Sequence, residues 1–225
     1  MFSKACQDVT RFTRPVVTST RHQDGNVKTS FSTYMFVNDD GWIITAAHVY
    51  DSFSKYNTDV NKFKEIESYN NQHPEDRKEY DPNWITNHSF WWGIDGAFLT
   101  NIHLYRHLDI LVGQLVVKVK ATVNGHEALV EMPVTKVPHI QKLPFMPSGY
   151  PVFRDPASIK VGSSICTTGF AFADLDCGFN PQNNSFQLKP TNLNLFVKDG
   201  IHPRDVVKKT PAGPSNVPEN MQNIP

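Results

Sequence analysis

The tightest constraint on this chain is the spacing of its turns between residues 14 and 49. Two turn signals, Gln23-Asp24-Gly25-Asn26 and Asn38-Asp39-Asp40-Gly41, cut that segment into three short runs of strand composition. Val16-Val17-Thr18-Ser19-Thr20 is the first. Lys28 to Val37 is the second, and it sets Phe31, Tyr34 and Phe36 among hydroxyl residues. Trp42-Ile43-Ile44 is the third, short and apolar. Strand, turn, strand, turn, strand at this spacing predicts an all-β antiparallel barrel or sandwich.

The period changes after the third run. Val49, Phe53, Tyr56, Val60 and Phe63 are three and four residues apart. That spacing predicts an amphipathic helix packed on its own domain, with Asp51 or Ser52 as its cap. Residues 68–95 are polar and read as a long loop. Ser89-Phe90-Trp91-Trp92 interrupts it, and two adjacent tryptophans there cover a core edge or form part of a substrate pocket. Strand patterns return at Ala97-Phe98-Leu99, at Asp109-Ile110-Leu111-Val112 and from Leu115 to Val119. Val123-Asn124-Gly125-His126 is a hairpin turn leading into Ala128 to Met132. Residues 144–156 read as irregular, and 161–170 as a further strand. Residues 1–13 are weakly patterned and read as a loose arm. From His202 to Pro225 five prolines (203, 211, 214, 218 and 225) resist both ladders and helices, so this part reads as a loop, linker or tail.

Composition removes several classes. With 22 basic and 22 acidic residues, no global field recruits nucleic acid or an anionic membrane. No apolar run approaches the roughly 20 residues of a membrane span. Residues 1–14 carry no apolar stretch of signal-peptide type, so the expected location is cytoplasmic. Three cysteines, Cys6, Cys166 and Cys177, are too few and odd in number for a disulfide framework.

The chemistry centres on His48, which follows the apolar run where a strand should leave the core. A histidine can act as a general base at neutral pH. It becomes positive in doing so, and a carboxylate behind it fixes its tautomer and stabilises the imidazolium. Asp109 is the candidate carboxylate, because a charge entering an apolar strand needs a partner.

The spelling of these segments points to a family. Thr45-Ala46-Ala47-His48 resembles the histidine motif of trypsin-like serine proteases, including the HtrA-like branch. Asp109-Ile110-Leu111-Val112 resembles the strand that opens with the family's aspartate. Val161-Gly162, Ile165, and Thr168-Gly169-Phe170-Ala171-Phe172 resemble the Gly-aliphatic-Gly strand that comes next. These features fall in family order over residues 14–175. The resemblance implies a chymotrypsin-like double antiparallel β-barrel, its second barrel incomplete, with a helical or loop insertion after the histidine motif. It implies an arm at 1–13, a two-lobed peptidase domain at 14–200 and a tail at 201–225. The implied activity is serine-type endopeptidase, acting on a protein or peptide substrate without a cofactor.

The nucleophile motif of that family, Gly-x-Ser-Gly-Gly, does not occur. Ser215, in Gly213-Pro214-Ser215-Asn216, keeps only the first glycine and the serine. Cys177, in Asp176-Cys177-Gly178, fits half of the Gly-x-Cys-Gly motif of viral 3C-like proteases, with Leu175 where the first glycine should stand. The expectation is that the sequence stops before the serine, and the rival is a binding module that has lost it. His103 and His107, four apart, would share a helix face as metal ligands often do. Their neighbours Ile102, Leu104, Ile110 and Leu111 fit a strand instead, and no glutamate base lies between them, so no metal is expected.

Overall fold

The structure is a computed structural model that describes residues 2–93, 101–107, 109–143, 146–155, 158–170, 176–189 and 195–201. It is mostly β. In chain order the elements are α1 (Phe2–Thr10), β1 (Thr13–His22), β2 (Val27–Phe36), β3 (Trp42–Ala46), a 3-10 turn (Ala47–Tyr50), α2 (Asp51–Gln72) and β4 (Ile85–Trp92). Then come β5 (Asn101–His107), β6 (Ile110–Val123), β7 (His126–Pro133), a 3-10 turn (Val134–Lys136), β8 (Ser164–Phe170), β9 (Cys177–Asn180), β10 (Ser185–Leu188) and β11 (Leu195–Ile201).

The three strands expected at the N-terminal end are present, joined by the two expected turns. Gly25 and Gly41 take φ of +89° and +75°, in the left-handed region where glycine carries no Cβ penalty. Gly41 is also hemmed in, since a Cβ there would lie 2.9 Å from the Leu115 carbonyl oxygen. The Asn124-Gly125 hairpin is likewise as expected, with φ of +52° and +80° joining β6 to β7.

One antiparallel sheet runs β4-β1-β2-β3-β6-β5, and β7 also pairs with β6. The order β4-β1-β2-β3 is a Greek key, in which a fourth strand returns to lie beside the first. The sheet curls, because strands from across it share one core: Val16 of β1, Tyr34 and Phe36 of β2, Ile43 of β3, Trp92 of β4, and Leu115 and Val117 of β6. Val49, Val134, Val137 and Ile140 close it from the two 3-10 turns and the segment after them.

The outer face of β1 and β2 is covered as well, so β1 is buried on both sides and reads as a nearly continuous run of buried residues. Two short antiparallel ladders, β8 with β11 and the hairpin of β9 with β10, supply that cover. The Phe170 N–H donates to Thr33 Oγ1 at 2.8 Å, and the Arg21 guanidinium stands 4.7 Å over the Phe179 ring. Among the described residues these two ladders are the strands outside the main sheet.

Several local expectations are corrected. Residues 2–10 form a helix, not a loose arm. The helix after His48 runs to Gln72, and β4 occupies 85–92, so 68–95 is not one long loop. Neither Asp51 nor Ser52 caps α2: the 3-10 turn runs straight into it, Tyr50 is the cap residue, and no side chain caps it. The two strands expected at 109–112 and 115–119 are one, β6, which passes through Gly113 without a break. The strand expected at 97–99 lies outside the described residues.

Candidate functional site

His48 sits where β3 gives way to the 3-10 turn. Ala46 is still extended (φ −72°, ψ 140°), and Ala47 and Val49 are 3% and 4% exposed, so both turn into the core. Between two buried neighbours, His48 is turned outward and exposed. The small Ala46-Ala47 pair lets the chain pass close to β6. β3 and β6 pair antiparallel with Ala46 opposite Ile110, and one step further the Ala47 N–H donates to the Asp109 carbonyl oxygen at 2.9 Å.

Asp109 belongs to the connection between β5 and β6, where His107 pairs with Ile110 across residues 108 and 109. The strand was expected to begin at Asp109; it begins at Ile110, and Asp109 is exposed in the turn before it. The sheet thus brings two residues 61 positions apart (109 − 48) to one end of adjacent strands. Both backbones are anchored there by the 47–109 hydrogen bond.

Cys177, the described one of the two candidate nucleophiles, is not assembled with this pair. The Cys177 thiol lies on β9, 3.5 Å from the Ser19 hydroxyl and 3.6 Å from its neighbour's Gly178 carbonyl oxygen, and neither partner is a base. Ser215 lies outside the described residues. His103 and His107 lie on β5, a strand, which removes the helical spacing that a zinc pair would use. Among the described residues no group of three or more His, Cys, Asp or Glu converges as metal ligands would. Trp92 is a core residue, 2% exposed, and Trp91 faces the other side of β4.

Two features escaped the sequence reading. The first is Asp59 on α2, which is 1% exposed. Its carboxylate accepts the Ile85 N–H at 2.9 Å and is paired with Lys55 and, at 3.8 Å, with Lys62. Burial pushes its pKa up, but the Lys55 hydrogen bond, the Ile85 N–H and the charges of both lysines together hold it below the ordinary carboxylate value. The Asp59 carboxylate therefore ties α2 to the first residue of β4.

The second is His88 on β4, whose Nε2 lies 3.0 Å from Ser52 Oγ in the first turn of α2. Phe53, Tyr56 and Phe90 pack around its ring at 5.4, 5.9 and 4.5 Å between centroids. Burial lowers its pKa to about 4, so the imidazole is neutral at physiological pH. Lys55 and Asp59 at helical spacing were a visible signal for the first. Nothing in the sequence pairs Ser52 with His88, since the link is made by packing.

No protein-family model matches this chain, and no curated protein or solved structure does either.

Proposed function

We propose that the chain carries the base half of a serine-type endopeptidase of the trypsin-like kind. His48 is the general base, and Asp109 orients it and stabilises the imidazolium as it forms. One observation carries this reading: the 2.9 Å hydrogen bond from the Ala47 N–H to the Asp109 carbonyl oxygen, which joins the backbone of His48's neighbour to that of Asp109 at one end of adjacent strands. A base that must reach a substrate has to be exposed, as His48 is in the 3-10 turn after β3; Asp109 is exposed too, in the turn just before β6. The Greek-key path of antiparallel strands also supports a barrel of the chymotrypsin type as the scaffold.

The chemistry follows from these roles. A serine hydroxyl from outside the described residues attacks the scissile carbonyl carbon while His48 takes its proton. The same proton then passes to the leaving amine, and water repeats the cycle on the acyl-enzyme. No cofactor enters these steps.

The test is an intact-mass measurement on the full gene product after reaction with a fluorophosphonate probe. A single adduct on serine, abolished by His48→Ala, is the expected result. Absence of an adduct refutes the peptidase and leaves a binding module on the same scaffold, a rival favoured by the missing Gly-x-Ser-Gly-Gly string. On an active product, Asp109→Asn should lower kcat by about four orders of magnitude. A loss below about tenfold removes Asp109 from the role.

A further inference from the structure

A cavity of about 310 Å³ lies between α2, the outer side of β4 and the β9–β10 hairpin, formed by groups the proposed peptidase chemistry does not use. Tyr56 of α2, His88 and Trp91 of β4, and Phe186 of β10 give it aromatic walls. Asn87 and Asn184 stand at its rim, where Asn87 Nδ2 donates to Asn184 Oδ1 at 2.8 Å and ties the hairpin to the strand. An asparagine side chain carries two donors and an acceptor with two lone pairs, so this bond leaves the pair able to make others.

Three further observations bear on what fits there. Among the described residues no lysine, arginine, aspartate or glutamate lines the cavity, and the titratable groups there are Tyr56 and the neutral His88. A charged ligand would give up its hydration with nothing to pair it. Asn184 is held at φ +52°, a left-handed turn conformation that asparagine takes more readily than most residues. On the same wall, the buried Trp91 indole N–H has no acceptor among the described residues.

We infer that this cavity is a binding site for a neutral sugar. A pyranose ring has apolar C–H faces that lie against aromatic rings, and a rim of hydroxyls that both donate and accept as paired asparagines require. It brings no charge, and about 310 Å³ is enough room for one or two such rings. A nucleotide would bring phosphates that nothing in the lining pairs. The site is separate from His48 and stands whether or not the chain cleaves peptides.

Isothermal titration of the 225-residue chain with glucose, galactose, mannose and N-acetylglucosamine tests this, with glucuronate and glucosamine as charged counterparts. At least one neutral sugar should bind saturably, with a Kd of about 1 mM or tighter, and its charged counterpart should bind at least about tenfold more weakly. Asn184→Gly should weaken that binding about tenfold or more while leaving Tm unchanged or raised, since glycine relieves the positive φ. No saturable binding by any of the four neutral sugars, equal binding of the charged ones, or full affinity in Asn184→Gly would each overturn the inference.

Discussion

Replacing Asp59 by alanine tests the claim that one buried carboxylate joins the helix after His48 to the sheet. Asp59 is 1% exposed, and the backbone N–H that it accepts belongs to Ile85, itself 3% exposed. Removing the carboxylate leaves that donor buried without a partner, at a cost of about 1–3 kcal/mol. The ion pairs contribute less, because the Lys55 and Lys62 side chains are 50% and 46% exposed and rehydrate when the partner goes. Solvent screening holds them to about 1 kcal/mol together. The expected loss is therefore about 3 kcal/mol, which at this chain length lowers Tm by roughly 6–12 °C.

Thermal unfolding followed by circular dichroism reads this directly, with Lys55→Met as the comparison, expected to cost less than about 1 kcal/mol. Asp59→Asn keeps an acceptor for the Ile85 N–H and should fall between the two. The pH dependence has a definite sign. A carboxyl held below 3.8 when folded contributes stability that is fully present above that value and is lost as pH falls through the folded pKa. The gap between parent and Asp59→Ala should accordingly narrow below about pH 4. If Asp59→Ala unfolds within about 0.5 kcal/mol of the parent, or if Lys55→Met costs as much, the tether is not what holds α2 to β4.

Further predictions concern single residues. His88 should titrate near pH 4 by NMR, well below the ordinary 6.5. Its burial as the neutral form should make stability fall as pH drops from 6.5 towards 4, a slope that His88→Phe reduces; a midpoint near 6.5 would contradict the packing against Phe53 and Phe90. Gly41→Ala meets both a φ of +75° and the Leu115 carbonyl oxygen 2.9 Å from the new Cβ, and should cost about 2 kcal/mol or more by urea unfolding. Gly25→Ala has the positive φ but no atom within 4 Å of the added carbon, so it should cost about 1 kcal/mol, less than Gly41→Ala. Equal costs would show that the close approach to β6 carries no energy.

Local features were legible wherever one residue type dictates a backbone shape. The turns at Gly25, Gly41 and Asn124-Gly125 are visible because only such residues take positive φ cheaply. The helix after His48 was legible in its period, but its end was not. Residues 64–72 carry few apolar side chains, and what holds that half is Phe63 against Tyr80 and Trp84, with Tyr69 donating to Asp76 at 2.6 Å. β4 was hidden for a related reason. Ile85-Thr86-Asn87-His88 looks polar in isolation, and it is a strand because β1 offers it a ladder while α2 receives the Ile85 N–H.

The sequence by itself determined the β character of the chain and the order of its first strands. Each rests on a short-range rule: period two and glycine in turns. Which residues become neighbours is a long-range matter. The Ala47–Asp109 hydrogen bond, the Ser52–His88 pair and the cavity between β4 and β10 exist only because a curled antiparallel sheet sets distant segments side by side. Strand register is selected by burying Val16, Tyr34, Phe36, Ile43 and Leu115 together, and no window of sequence contains that requirement.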